Sequence, residues 1–98
     1  MDIQGFDWDE NNSEKCQSHG VNLEEVESVF INQPWVYPNV KHKTDEERYH
    51  AVGRTHEGRY TYVVFTFRES PDGKLIRPIS ARFMHKKEID HYEKQTKR

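Results

Sequence analysis

The chain has 98 residues, of which 33% are hydrophobic and 33% are charged, with a formal net charge of −2. This length suits a single domain over residues 1–98 with one small core. The longest apolar run, residues 62–65, is too short for a membrane span or a signal-peptide core. One cysteine, Cys16, excludes an internal disulfide and a cysteine-based zinc site. A cytoplasmic domain is therefore expected.

The charges are divided unevenly along the chain. Residues 1–33 carry eight acidic side chains and one basic side chain, whereas residues 34–98 have a net charge of +5. This asymmetry favours two surfaces with different partners, a basic one for an anion and an acidic one for a cationic protein. A solvated surface of mixed charge is the alternative.

The first third of the chain predicts a short strand followed by a helix. Residues 5–8 have strand character, and either Asp7 or Asp9 can cap the polar helix predicted over residues 10–18. Gly20 then ends this helix, because glycine adopts the left-handed conformation that closes helices.

A second helix is predicted to begin after Asn22, with Glu25 completing a capping box. Its end is expected at residues 32–34, where a proline follows. A short strand at residues 35–37 and a charged loop at residues 39–47 come next. The apolar residues of the helix repeat at helical spacing: Leu23, Val26, Val29 and Phe30.

Three stronger strands follow, over residues 48–54, 60–68 and 75–82, and both connections have hairpin chemistry. The middle strand is apolar on both faces and should be central. Pro78 lacks an N–H donor and predicts an edge or a bulge. Residues 85–94 predict a final helix. The expected fold is α+β, a small antiparallel meander flanked by two N-terminal helices and one C-terminal helix.

Several classes of catalytic site are disfavoured by the motifs. Gly-rich phosphate loops and nucleophile elbows are absent from the sequence. No metal or other cofactor is expected, because no two histidines have the spacing of zinc-binding pairs. The six histidines are His19, His42, His50, His56, His85 and His91.

Arginines at strand ends are the most informative chemical pattern. Arg54 and Arg68 close the first and second long strands, and Arg77 and Arg82 lie in the third. Strict alternation places Arg77 and Arg82 on opposite faces. Neighbouring strands can nevertheless bring guanidinium groups onto one face, where their planar forks suit phosphate oxygens. The alternative is a set of surface arginines whose stems cover the sheet.

Three other side chains have both a structural and a functional interpretation. His19 precedes the glycine that ends the first helix, where it is a cap or an exposed group able to exchange protons near neutral pH. Tyr92 is either core packing with Ile89 or a hydroxyl near the phosphate. Trp8 is either core or a platform for a base.

An ordered set of short motifs covers nearly the whole chain. The motifs are Phe6-Asp7-Trp8-Asp9, His19-Gly20-Val21 followed by Leu23-Glu24-Glu25, Gly53-Arg54, residues 76–82, Glu88 and Tyr92. The most specific of them is the Ile-Ser-Ala-Arg stretch that precedes a helix with Glu and Tyr. Together these motifs resemble the BrnT family of ribonuclease toxins of bacterial type II toxin–antitoxin systems.

The resemblance implies a fold similar to RelE toxins and metal-independent RNA cleavage that stops translation. It also implies a BrnA-like antitoxin with a ribbon–helix–helix DNA-binding part, so that operator DNA is bound only through the complex. The candidate catalytic residues carried over to matching positions are His19, Arg54, Arg82 and Tyr92, and Arg77 and Glu88 are candidate substrate-binding residues.

One position departs from the family pattern. Ser18 stands where the family usually has a lysine directly before His-Gly-Val. Lys15, one helical turn earlier, is a candidate substitute for the missing charge at the scissile phosphate.

Three hypotheses follow from these residues. The first is an endoribonuclease that uses general acid–base chemistry, in which base and acid are not assigned between His19 and Tyr92. The second is a non-catalytic module that binds the antitoxin and contributes to repression. The third is a small RNA-binding domain that stacks bases on Trp8, Tyr60 and Tyr62.

Overall fold

Eight elements follow one another in the computed structural model, which describes residues 3–39 and 46–96. Each corresponds to a predicted helix or strand, with shifted boundaries. Most of the predicted charged loop, with His42, lies at residues 40–45, outside the described residues. The elements are β1 (Ile3–Phe6), α1 (Glu10–Gln17), α2 (Leu23–Ile31), β2 (Trp35–Pro38), β3 (Tyr49–Arg54), β4 (Tyr60–Ser70), β5 (Gly73–Phe83) and α3 (Lys86–Thr96).

The two N-terminal helices begin at capping boxes. The Asp9 carboxylate accepts from the backbone N–H of Asn12 at 3.0 Å, and this hydrogen bond, with Arg77 nearby, lowers the pKa of Asp9. Asn22 and Glu25 form the same reciprocal pair at α2, as predicted. Gly20 has a φ of +89°, which suits glycine and lets the chain turn between the helices.

The sheet is mixed, which corrects the expected antiparallel meander. The strand order is β1-β5-β4-β3-β2, and all neighbours are antiparallel except β1 and β5, which are parallel. Because β1 runs in the direction of β5, α1 can continue along the rest of the β5 edge. There the Asn12 side chain donates to the carbonyl of Pro78 at 2.8 Å. The helix thereby covers an edge that would otherwise be unpaired.

The core lies between α1, α2 and one face of the sheet. Burial raises the pKa of the Cys16 thiol to about 11, so the group stays protonated at neutral pH. The indole N–H of Trp8 donates to Glu27 at 2.8 Å while its ring packs on the core. The buried apolar side chains are Cys16, Val21, Val26, Val29, Ala51, Val63, Phe65, Ile76 and Ala81.

A bulge in β5 brings Arg77 and Arg82 to the same face of the sheet, which shows that strict alternation was a wrong expectation. Arg82 pairs with Tyr62 of β4 and Arg77 with Thr66, while the register shifts between the partners Ser80 and Pro78. Positions 62 and 66 of β4 share a face, and directly opposed residues point to the same side. Of the edge or bulge that Pro78 predicted, the structure has the bulge.

The face opposite the core is called the arginine face below. It carries Arg77 and Arg82 from β5, together with Arg54 of β3, which pairs with Tyr60. The helix α3 lies over one end of this face, where the Tyr92 ring contacts Trp35 and Tyr60. The candidate site is therefore a sheet surface between α1 and α3.

Candidate active site

The Arg54 side chain at the end of β3 is held by a chain of two hydrogen bonds, through a tyrosine to a carboxylate. Its Nη2 donates to the hydroxyl of Tyr60 at 2.7 Å, and its Cζ lies 4.8 Å from the centre of that ring. The Tyr60 hydroxyl in turn donates to Glu93 of α3 at 2.8 Å. These three side chains, with Tyr92 and Thr96, line an open polar cavity. The guanidinium has no ion pair within the described residues, so its charge is available to an anion.

Arg82 is held by two parallel hydrogen bonds to one carboxylate. Its Nη1 and Nη2 donate to the two oxygens of Glu88 at 2.7 and 2.6 Å. These hydrogen bonds raise the pKa of Arg82 and lower the pKa of Glu88 to about 2, so both groups are charged at neutral pH. The Arg82 guanidinium also lies 5.0 Å from the ring centre of Tyr62. The two Arg82 nitrogens therefore have the geometry that would suit two phosphate oxygens, and in this structure the Glu88 carboxylate occupies that position.

Tyr92 lines two cavities, one with Arg54 and one with Tyr62 and Glu88, which contact Arg82. Its ring is 5.6 Å from that of Tyr60, on the Arg54 side, and 5.9 Å from that of Trp35. Burial and the neighbouring Tyr60 raise the pKa of Tyr92, so its hydroxyl keeps its proton at neutral pH. A phenol in this state is suited to donating a proton rather than to removing one.

Arg77 and Lys15 belong to a second cluster on the arginine face. Arg77 pairs with Asp9 at 2.9 Å and with Asp7 at 3.4 Å. It lines a polar cavity with Lys15. Arg77 and Arg82 are five residue steps apart in β5, which corresponds to roughly 15 Å along a strand. This distance is too long for both side chains to bind one phosphate. The other charged residues around this cavity are Glu46, Arg48 and Arg68, with Glu46 paired to both arginines.

His19 lies in the exposed turn after α1, as its position next to Gly20 predicted. Among the described residues it has no hydrogen bond, ion pair or ring contact, and none joins it to Arg54 or Arg82. The neighbouring Ser18 donates its hydroxyl to the Lys15 carbonyl at 2.8 Å. It acts as a cap at this helix end and supplies no charge.

Sequence reasoning missed the roles of Tyr60, Tyr62 and Glu93. Once the strand register is known, the tyrosines lie directly opposite Arg54 and Arg82. The sequence did contain a signal for these roles, because Tyr60 and Tyr62 are separated by one residue and lie beside strands that end in arginine. The two tyrosines were instead interpreted as a stacking platform together with Trp8. That three-residue platform is not formed, because Trp8 packs on the core face.

The described residues contain neither a cluster of metal ligands nor a membrane-spanning helix. No group of three or more His, Cys, Asp or Glu side chains within residues 3–39 and 46–96 lies close enough to hold a metal ion. Over the same ranges, every helix is too short or too polar to cross a membrane.

A five-stranded mixed sheet with three helices, and with arginines and tyrosines on its open face, makes this a small α+β protein. Residues 8–88 match the family described as "Ribonuclease toxin, BrnT, of type II toxin-antitoxin system". The chain belongs to this family of ribonuclease toxins, as the motif resemblance indicated. Membership implies an antitoxin partner. No curated protein sequence matches the chain.

Proposed function

We propose that the protein is an endoribonuclease that cleaves RNA without a metal ion and thereby inhibits translation. The observation that carries this proposal is the position of Arg54 and Arg82 on one sheet face, with Tyr92 lining one cavity beside Arg54 and a second beside Tyr62 and Glu88. Two guanidinium groups around one phosphate stabilise the additional charge that develops during in-line attack.

In the proposed reaction the ribose 2′-oxygen attacks the adjacent phosphorus, and the bond from phosphorus to the 5′-oxygen breaks. The products are a 2′,3′-cyclic phosphate and a free 5′-hydroxyl. Arg82 binds the non-bridging oxygens after its fork exchanges the Glu88 carboxylate for the phosphate, and Arg54 approaches from β3. Glu88 acts as a positioning residue that orients Arg82 before RNA binds.

The proton transfers are divided between Tyr92 and His19. Tyr92 donates to the leaving 5′-oxygen, consistent with its raised pKa. His19 is the proposed base for the 2′-hydroxyl, because its exposed imidazole has no partner among the described residues. Arg77, with Lys15 lining the same cavity, binds a phosphate two or three nucleotides away, in keeping with the roughly 15 Å along the strand from Arg77 to Arg82.

The partner and setting proposed here follow the family. The antitoxin is a BrnA-like ribbon–helix–helix protein, and operator DNA is bound only through the complex. The fold is proposed to be RelE-like and the setting cytoplasmic. The acidic first third of the chain, with a net charge of −7 over residues 1–33, suits contact with basic segments of such a partner.

Cleavage of a long single-stranded RNA in the presence of EDTA tests the proposal. The purified protein should cut it, and Arg82→Ala should cut it about 10²–10³-fold more slowly, as expected for loss of one electrostatic stabiliser. Arg59→Ala is the matched control, because Arg59 stacks on Phe83 away from the arginine face, 3.5 Å from that ring centre. An equal rate for the two variants would remove Arg82 from the mechanism.

A second candidate function is an antitoxin-binding module without ribonuclease activity. Ser18 in place of lysine and the occupied fork of Arg82 favour it. Expression of the chain without an antitoxin distinguishes the two. Growth arrest supports the ribonuclease, whereas normal growth with folded protein present supports the module and makes Ser18→Lys the first reversion to test.

A further inference from the structure

A cavity of about 260 Å³ lies between α3 and the arginine face. This volume is just below the roughly 300–1,000 Å³ of pockets for drug-sized ligands, so it suits one ring system rather than an extended molecule. Four of its wall residues are aromatic: Trp35, Tyr37, Tyr62 and Tyr92. The other wall residues are Val52, Met84, Lys87, Glu88 and His91.

One of the aromatic side chains in the cavity wall, Trp35, is partly exposed to solvent. The Trp35 side chain lies on the short edge strand β2 and is 41% exposed, which is unusual for so large an apolar group. Its ring is tilted by 46° to Tyr92 and by 51° to Tyr37, so neither neighbour stacks flat on it. An open indole face of this kind is a platform on which nucleobases stack.

The polar groups of the cavity come from α3. Lys87 and His91 are one helical turn apart, and Glu88 lies beside Lys87. Together they supply donors and an acceptor to a cavity whose other wall residues are aromatic or aliphatic. This combination of apolar walls with a few polar groups is what fixes the orientation of a planar heterocycle.

The cavity also adjoins the proposed phosphate position. Glu88 and Tyr62 both line it, and both contact Arg82, through paired hydrogen bonds and through the 5.0 Å ring contact. A base inside the cavity therefore has its own phosphate within reach of the Arg82 fork. The larger groove on the core side, beside Ile31 and Phe30, contains no charged lining residue and has no such neighbour.

We propose that this cavity binds the nucleobase of the nucleotide next to the cleaved phosphate, stacked on Trp35, and thereby selects where RNA is cut. The inference rests on the proposed ribonuclease function, because it assigns the Arg82 fork to that phosphate. Trp35 is then a specificity-determining residue and takes no part in proton transfer.

Binding of nucleoside 5′-monophosphates tests the cavity without any need for cleavage. In a Trp8→Phe background Trp35 is the only indole. AMP, GMP, CMP and UMP are titrated against its fluorescence, with ribose 5-phosphate as the probe that lacks a base. At least one nucleotide should quench Trp35 and bind about tenfold more tightly than ribose 5-phosphate. Equal binding of all five compounds, or binding without quenching, would overturn the proposal.

Variants measured by calorimetry show whether the indole face is responsible. Trp35→Leu should lose about tenfold in affinity for the preferred nucleotide, whereas Trp35→Phe, which retains a ring, should recover most of it. Affinity for ribose 5-phosphate should not change. Ile31→Leu, at an exposed position beside the opposite groove, is the control and should bind like the unaltered chain. A Trp35→Leu variant that binds the nucleotide normally contradicts the assignment.

Two outcomes separate this inference from the proposed function. Base-selective nucleotide binding by a chain that cuts no RNA supports the cavity while the ribonuclease proposal fails. Conversely, RNA cleavage at unchanged sites by Trp35→Leu retains the ribonuclease and overturns the cavity. Absence of nucleotide binding, combined with antitoxin affinity reduced at least tenfold by Trp35→Leu, would assign the cavity to the protein partner instead.

Discussion

Glu88 of α3 fills the guanidinium fork of Arg82 in β5, with both carboxylate oxygens at 2.6–2.7 Å from the arginine nitrogens. The same carboxylate accepts from the backbone N–H of His85 at 3.2 Å, so it also helps to cap the start of α3. One side chain thus fastens the last helix to the sheet and occupies the position proposed for the phosphate. In the proposed mechanism RNA binding breaks this pair, which would couple substrate affinity to the attachment of α3.

Replacing Glu88 by glutamine is expected to strengthen RNA binding and to weaken the fold. The neutral amide competes less well for Arg82, so affinity for a 2′-O-methyl RNA, which cannot be cleaved, should rise about fivefold, equivalent to about 1 kcal/mol. Fluorescence anisotropy at low salt measures this change. Asp90→Asn removes the same charge from an exposed position of α3 and controls for the general field. Weaker binding by Glu88→Gln than by the control would contradict the expected competition between the Glu88 carboxylate and the phosphate for Arg82.

The same pair should make the fold sensitive to acid. Arg82 lowers the folded-state pKa of Glu88 from 4.5 to about 2. A carboxylate with a lowered pKa contributes stability that is complete above its unfolded pKa and is lost as the pH falls through the folded value. The loss therefore lies between about pH 4.5 and pH 2. It should amount to about 1 kcal/mol, because the Arg82 side chain is 42% exposed and solvent screens the pair.

Urea unfolding at pH 6 and at pH 2.5 measures this contribution. The unaltered chain should lose more unfolding free energy over that interval than Glu88→Gln does, by the same amount of about 1 kcal/mol. Other carboxylates, such as Asp9 with its lowered pKa, titrate in both proteins and cancel in the comparison. Equal losses in the two proteins would mean that the Arg82 pair adds no stability.

Short-range sequence patterns predicted the helices and strands of this fold, whereas the pairing of distant strands determined how they are arranged in the sheet. Capping residues such as Asn22, the hairpin turns and the helical spacing of α2 are readable within a few residues. The parallel addition of β1 depends on contacts with a strand about 70 positions later, between Phe6 and Ile76. Short-range sequence signals contain no information on that partner, so the expected meander was wrong at this edge.

The candidate site shows the same limit. Arginines at strand ends indicated an anion site, but the shared face of Arg77 and Arg82 required the bulge at Ile79, which changes the alternation by one position. Pro78 signalled a bulge or an edge without giving its register. Partners from different elements, such as Tyr60 with Glu93, appear only when the sheet and α3 are assembled.

Tyr92→Phe tests the proton donor while preserving the ring. The substitution keeps the contacts with Trp35 and Tyr60 and removes only the hydroxyl. We expect kcat for RNA cleavage to fall about 10²-fold, the lower end for loss of a general acid, with KM nearly unchanged. The raised pKa of Tyr92 predicts that the rate of the unaltered chain declines only above about pH 10, and that the variant lacks this decline.

Tyr49→Phe is the matched control for this measurement. Its hydroxyl donates to Glu47 at 2.8 Å and its ring packs on the core, away from the arginine face. It should cleave RNA at the normal rate. A Tyr92→Phe variant that retains normal kcat assigns the acid to another group.

Gly53, next to Arg54 in β3, is a position of close packing. A Cβ added at Gly53 would lie 3.2 Å from the backbone Cα of Pro34 and 3.5 Å from a methyl group of Val29. Gly53→Ala should gain roughly 0.4–1 kcal/mol from the less flexible unfolded chain but lose about 1–3 kcal/mol to overpacking. The middle of these ranges gives a net destabilisation of about 1 kcal/mol, so thermal unfolding should show a melting temperature lower by about 4–8 °C. Gly53→Val, which adds more atoms at the same contact, should lower it further, whereas an unchanged melting temperature in both variants would show that the segment at Pro34 moves away without cost.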